Sequence, residues 1–149
     1  MSNDCVFCDR KNFKEHIIAE NSDYFIIASL GQITDGGCLM LIPKHHVSCI
    51  GALTLEKIYI LKEAVADVCL LLSSGYHLIH EPESSPITTF EHGIVGQTVE
   101  HAHIHFLPTA INLTSKIRSD FPNSKIEELQ NYTQLLQQHR EKNEPYLFW

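Results

Sequence analysis

Histidine and apolar residues alternate in the stretch VEHAHIHFLPT, residues 99–109. The histidines at every second position are His101, His103 and His105, and Ala102, Ile104 and Phe106 stand between them. Successive side chains of a β-strand point to opposite faces of its sheet. The alternation therefore predicts a strand over residues 99–107 with one apolar face on the core and a row of imidazoles on the other.

Size and composition limit what the chain can be. Its 149 residues are enough for one domain, residues 1–149, with a real core. Eleven Lys and Arg against 18 Asp and Glu give a net charge of −7, which argues against nucleic acid as a partner. No apolar run is long enough for a membrane span, and the N-terminus has no signal pattern. We expect a cytoplasmic protein whose five cysteines are free or metal-bound.

Hydrophobic periodicity predicts several short strands and two helices. The predicted strands lie at about 16–20, 24–29, 38–43, 76–80, 87–92 and 99–107. The main helix spans 54–74 with Thr54 as its N-cap, and a second helix covers about 124–141. The final apolar segment is PYLFW. With few helices for parallel crossovers, this order favours an α+β fold with a mainly antiparallel sheet.

Three adjacent imidazoles are costly to bury unless a bound ion uses them. One interpretation is a metal held by two of the rings, and another is a histidine nucleophile with phosphate-binding neighbours. The preceding segment HGIVGQT, residues 92–98, favours the second interpretation. Gly96 brings backbone amides close, while Gln97 and Thr98 supply neutral hydrogen-bonding groups that suit phosphate oxygens.

Two separated motifs resemble those of the histidine triad (HIT) family. GQTVEHAHIHFLP resembles the family signature H-φ-H-φ-H-φ-φ, where φ is apolar, with its Gly-Gln-Ser/Thr-Val lead-in. GCLMLIPKHH resembles the family stretch in which an apolar strand is followed by P-K-x-H. The resemblance covers about residues 5–109. It implies a compact α+β fold around a five-stranded antiparallel sheet, commonly a homodimer.

The resemblance also implies an activity and residue roles. HIT proteins hydrolyse or transfer nucleotidyl groups at the α-phosphate, and the matching positions make His103 the nucleophile. His105 is then a phosphate-binding residue, with Gly96 beside it. Gln97 and Thr98 hold phosphate oxygens or assist the leaving group. Phosphoramidates, dinucleoside polyphosphates and nucleotidyl-sugars are the candidate substrates.

A structural zinc site is the third implication. In family members with a C-x-x-C near the N-terminus, the ligands correspond to Cys5, Cys8, His46 and His101 here. Two cysteines and two histidines form a closed tetrahedral set, as a structural site requires. A rival reading places zinc directly on His103 and His105.

The sequence departs from the family pattern in two places. Ser29 stands at or near the position where many relatives have an acidic ribose-binding residue, so we take Ser29 as the candidate contact. The segment FEHG replaces the usual amide-rich stretch. Its Glu91 and His92 either pair with each other at a loop, or His92 acts as a proton donor. These departures leave open a catalytically weak nucleotide- or partner-binding module.

Overall fold

One antiparallel sheet carries the fold. The computed structural model describes residues 5–75 and 87–149. Within these ranges the strands are β1 (Ile17–Glu20), β2 (Tyr24–Ala28), β3 (Leu39–Pro43), β4 (Thr88–Gly93), β5 (Ile104–Leu107) and β6 (Tyr146–Phe148). Their order across the sheet is β1-β2-β3-β5-β4-β6, and every neighbouring pair is antiparallel. The predicted α+β class with an antiparallel sheet is confirmed, with six described strands rather than five.

Three α-helices accompany the sheet in the described residues. They are α1 (Leu55–Gly75), α2 (Leu113–Asp120) and α3 (Tyr132–Lys142). Short 3₁₀ helices occupy Val6–Cys8, Arg10–Asn12, Lys14–His16 and Ile50–Ala52. The predicted main helix is confirmed, and the Thr54 hydroxyl accepts a hydrogen bond from the Lys57 amide as an N-cap does. Among the described residues, no helix combines the length and apolarity that a membrane crossing needs.

The second predicted helix, at about 124–141, is wrong in its first half. Residues 124–130 are irregular, and α3 begins only after Asn131. The Asn131 side chain accepts hydrogen bonds from the amides of Thr133 and Gln134, which fixes the helix start at this point. The segment at 113–120, for which we predicted no element, forms α2 behind its own cap, Asn112.

The core lies on both sides of the central strands. Alternate residues of β2, β3 and β5 pack against α1 and α3. On the opposite face a smaller cluster joins the N-terminal segment to β2 and β3; its buried members are Phe7, Phe13, Phe25, Ile27, Met40 and Ile42. β3 is therefore buried on both faces, as its continuous apolar sequence predicts. The predicted strand at 76–80 lies outside the described residues.

Candidate functional site

The three histidines lie together on the face of the sheet opposite α1, but only the last of them is in a strand. β5 begins at Ile104, so the predicted strand over 99–107 is wrong for residues 99–103. In residues 99–103 the backbone hydrogen bonds are not those of a strand pair. The amide of Ala102 donates to the carbonyl of Val47 at 2.7 Å, and the amide of His101 donates to the carbonyl of Val99. The alternation of sides nevertheless persists, because Ala102 and Ile104 pack in the core beneath the helices.

His103 is buried and held in one tautomer. Its Nδ1 lies 2.7 Å from the backbone oxygen of His101. A carbonyl can only accept, so Nδ1 carries the proton and Nε2 keeps a free lone pair. The ring is 8% exposed and meets the edge of Phe7, with centroids 5.3 Å apart. Burial lowers the pKa of His103, which favours the neutral ring that a nucleophile requires.

His105 lies beside His103, with ring centroids 4.9 Å apart. It stacks on Phe90 at 4.6 Å and meets the edge of His92 at 6.2 Å. Burial lowers the pKa of His105 to about 3, so this imidazole carries no charge at neutral pH.

The lead-in loop connects β4 to the histidines. Gly96 has a φ of +68°, a conformation that L side chains rarely adopt. The Gln97 Nε2 donates to the Ser48 carbonyl at 3.1 Å, which fixes the amide orientation because a carbonyl only accepts. Its Oε1 is buried and has no hydrogen-bond partner in the described part of the chain. Gln97 therefore leaves one acceptor unpaired inside the loop, and Thr98 is exposed beside it.

Ser29 directly follows the last residue of β2 and lies at a distance from the triad. Ile27 is in register with Met40, and Met40 with His105, so Ser29 comes two residues beyond the β2 position that aligns with His105. Two strand spacings separate β2 from β5, roughly 10 Å. The Ser29 hydroxyl donates to the carbonyl of Gly31 within its own loop. A ligand contact by Ser29 therefore requires an extended molecule that lies across the strands.

The four predicted metal ligands converge. Within this cluster, Cys5 Sγ is 3.3 Å from His101 Nδ1, and Cys8 Sγ is 3.4 Å from His46 Nδ1 and 3.6 Å from His101 Nδ1. With metal–sulfur and metal–nitrogen bonds of about 2.3 and 2.1 Å, the sulfur–nitrogen edge of a tetrahedron is about 3.6 Å. His101 Nε2 donates to the Pro43 carbonyl at 2.8 Å, leaving Nδ1 free for an ion. The cluster fits a tetrahedral metal ion.

Of the two alternatives for Glu91 and His92, the one in which they pair with each other is wrong. The two residues are consecutive on β4 and point to opposite faces. His92 Nδ1 lies 2.9 Å from the Val95 carbonyl, while Glu91 is 1% exposed and bonds to Ile50 and Tyr146. Sequence reasoning missed Tyr146 altogether, because the alternation Phe90, Glu91, His92 gives no sign that the acid faces the core.

A cavity of about 780 Å³ adjoins the lead-in loop. Its wall includes His92, Val95 and Gly96 on one side and residues of α2, α3 and β6 on the other, but not His103 or His105. This volume is typical of small-molecule sites. It reaches the triad only through His92, whose ring meets the edge of His105.

Solved structures share this architecture. A HIT family protein from Bacillus anthracis is 19% identical, with a TM-score of 0.58 over 96% of this chain and 96% of its own. A hypothetical histidine triad nucleotide-binding protein from Sulfolobus tokodaii is 22% identical, with a TM-score of 0.54 over 92% and 90%. A HIT family hydrolase from Clostridium thermocellum is 20% identical, with a TM-score of 0.52 over 76% and 96%. No family model and no curated protein matches the sequence. The fold is that of histidine triad proteins.

Proposed function

We propose that this chain is a histidine triad hydrolase or nucleotidyl transferase that acts at the α-phosphate of a small nucleotide substrate. The observation that carries the proposal is the hydrogen bond from His103 Nδ1 to the His101 carbonyl. It leaves the Nε2 lone pair of a neutral ring available for attack on phosphorus. The shared fold and the Gly-Gln-Thr lead-in support the same conclusion.

The reaction takes two displacements. Nε2 of His103 attacks the α-phosphorus and a P–N bond forms. The bond to the leaving group breaks, and the leaving group departs with the bonding electrons and takes up a proton. The leaving group takes this proton from water, and the exposed Thr98 hydroxyl is available to hydrogen-bond the leaving atom while staying neutral itself. Water, or an acceptor alcohol, then attacks phosphorus, the P–N electrons return to Nε2, and a proton is released. The His101 carbonyl stabilises the positive charge that the ring carries between the steps.

The remaining site residues bind and orient the substrate. His105, neutral beside His103, and the backbone near Gly96 bind phosphate oxygens. The free Oε1 of Gln97 suits a donor, such as a leaving-group N–H or the attacking water, better than a phosphate oxygen. The leaving group lies toward the cavity next to His92, and the nucleoside extends toward Ser29.

The Cys5, Cys8, His46 and His101 cluster holds a structural zinc ion in this proposal. Zinc suits two thiolates and two imidazoles and, when bound, ties the N-terminal segment to the histidine segment. It takes no part in the phosphorus chemistry. Among the described residues, the group of potential ligands close enough to hold an ion excludes both His103 and His105. Homodimeric assembly and a cytoplasmic location stay predictions.

The test replaces His103 with Asn and measures nucleoside monophosphate release from a phosphoramidate and a dinucleoside polyphosphate. Loss of the nucleophile is expected to lower kcat at least about 1,000-fold. His16→Asn, a substitution in the N-terminal 3₁₀ helix, is the matched control and keeps full turnover. Unchanged turnover in His103→Asn would remove the nucleophile assignment. Tight binding of AMP by the wild type, with no turnover of any substrate, would instead indicate a binding module.

A further inference from the structure

Residues 47–51 form a connecting segment whose first two residues contact the candidate site. The Val47 carbonyl accepts the hydrogen bond from the Ala102 amide, at 2.7 Å, directly between two histidines of the triad. The Ser48 carbonyl accepts from Gln97 Nε2 at 3.1 Å. The position of this segment therefore sets both the backbone of the histidine segment and the orientation of the Gln97 amide.

The other end of the 47–51 segment is fixed from beneath. The Ile50 amide donates to Glu91 Oε1 at 2.6 Å, and the Gly51 amide donates to the Tyr146 hydroxyl at 2.8 Å. The Tyr146 hydroxyl in turn donates to Glu91 Oε2 at 2.8 Å. Two consecutive buried backbone donors near the segment's end thus depend on one carboxylate and one phenol.

The fit around these groups is close. Glu91 is 1% exposed, so its oxygens have no access to solvent that could replace the protein partners. A Cβ at Gly93 would overlap the Tyr146 ring, and a Cβ at Gly51 would lie 3.2 Å from that ring. The Tyr146 ring packs directly on these two glycines, and its hydroxyl contacts the segment from there.

We propose that Glu91 and Tyr146 are positioning residues that act through the 47–51 segment to hold Gln97 in its catalytic orientation. The inference rests on the proposed function, because it assigns to Gln97 a part in the reaction. Removal of the Tyr146 hydroxyl leaves the Gly51 amide and one Glu91 oxygen buried without a partner. Because these unpaired groups destabilise the present position of the 47–51 segment, the segment shifts. The Ser48 carbonyl that orients Gln97 moves with it.

A double-mutant cycle tests the route. Tyr146→Phe is expected to lower kcat about tenfold, since small displacements of catalytic groups have effects of this size. In a Gln97→Ala background the same substitution is expected to change kcat less than about twofold, because the group it positions is already absent. An equal fold-loss in both backgrounds, or no loss in the wild-type background, would overturn the proposal.

Matched variants separate positioning from general packing. Tyr132→Phe removes the hydroxyl of a second half-buried tyrosine, one whose ring contacts Phe148 and which is not part of the hydrogen-bond chain. We expect Tyr132→Phe to keep wild-type kcat. Glu91→Gln retains an acceptor for Ile50 and is expected to lose less activity than Glu91→Ala. A loss in Tyr132→Phe equal to that in Tyr146→Phe would contradict the proposal.

A spectroscopic readout keeps this inference separate from the proposed function. The Gln97 side-chain amide signals are assigned in NMR spectra by their absence from Gln97→Ala. Tyr146→Phe is expected to shift or broaden these signals, and Tyr132→Phe to leave them in place. If the wild type turns over no substrate, the proposed function fails. The NMR measurement still decides whether Tyr146 positions the Gln97 side chain through the 47–51 segment. Unchanged Gln97 signals in Tyr146→Phe would overturn this inference.

Discussion

At the scale of single residues, His101 and His103 use opposite ring nitrogens. His101 donates from Nε2 to the Pro43 carbonyl and presents Nδ1 to the cysteines. His103 donates from Nδ1 to the His101 carbonyl and keeps the lone pair of Nε2 free. Each backbone carbonyl thus selects which nitrogen is free. Neighbouring histidines of one motif are in this way assigned to different chemistry.

Glu91 makes a prediction about stability and pH. Burial raises the pKa of this carboxyl to about 7, above its ordinary value of 4.5. Because the folded-state pKa is raised, the stability that Glu91 contributes is fully present below about pH 4.5 and is lost as pH rises through about 7. Glu91→Gln mimics the protonated form and does not titrate. The unfolding free energy of the variant minus that of the wild type should therefore increase by roughly 3 kcal/mol from low to neutral pH.

Urea denaturation across this pH range measures the effect. Only the difference between variant and wild type is interpreted, since other groups titrate in the same window. Glu128→Gln, at an exposed position, is the control and should show a constant difference. If the unfolding free-energy difference between Glu91→Gln and the wild type is also constant across the pH range, Glu91 ionises as freely in the folded protein as in the unfolded chain.

At the scale of elements, the cluster of Cys5, Cys8, His46 and His101 brings the N-terminal 3₁₀ helix next to the histidine segment. Replacing both Cys5 and Cys8 with Ala should abolish bound metal and lower the melting temperature by roughly 5–10 °C. Metal content by mass spectrometry and calorimetry check the two outcomes. Cys69→Ala, on α1, should keep the metal. Full metal occupancy in the double variant would place the ion elsewhere and revive the His103–His105 alternative.

β6 depends on the absence of a side chain at Gly93. A methyl group there would overlap the Tyr146 ring, so Gly93→Ala should displace β6 and cost about 2 kcal/mol of unfolding free energy, as overpacked cores do. Trp149, the only tryptophan, follows this strand and reports its displacement by fluorescence. Gly31→Ala, where nothing lies within 4 Å, should change neither signal. An unshifted Trp149 spectrum in Gly93→Ala would contradict the packing described here.

Long, periodic elements could be predicted from the sequence, and short ones could not. α1 follows from its repeated apolar spacing and the Thr54 cap, and β3 from its apolar run. β6 has three residues, and its strand geometry comes from pairing with β4, a partner more than 50 residues away. The same holds at the site. The metal ligands and histidines stand in local motifs, whereas the Glu91–Tyr146 contact exists only after the sheet has formed.

At the scale of the whole molecule, both ends of the described chain meet the histidine segment. Cys5 reaches His101 directly, while Tyr146 reaches Gln97 through the 47–51 segment. The sheet order places β5 between β3 and β4, so the triad is supported from both sides. Proteins with this fold that are about 20% identical to the chain share the framework. What the chain does depends on whether its own His103 performs the chemistry.

A covalent adduct on His103 is the most direct test of that claim. The protein is mixed with a nucleoside phosphoramidate, quenched in alkaline denaturant to preserve P–N bonds, digested and analysed by mass spectrometry. We predict a peptide that contains His103 and is heavier by one nucleotidyl group, present in the wild type and absent from His103→Asn. Turnover by the wild type with no adduct, or an adduct that persists in His103→Asn, would contradict the account.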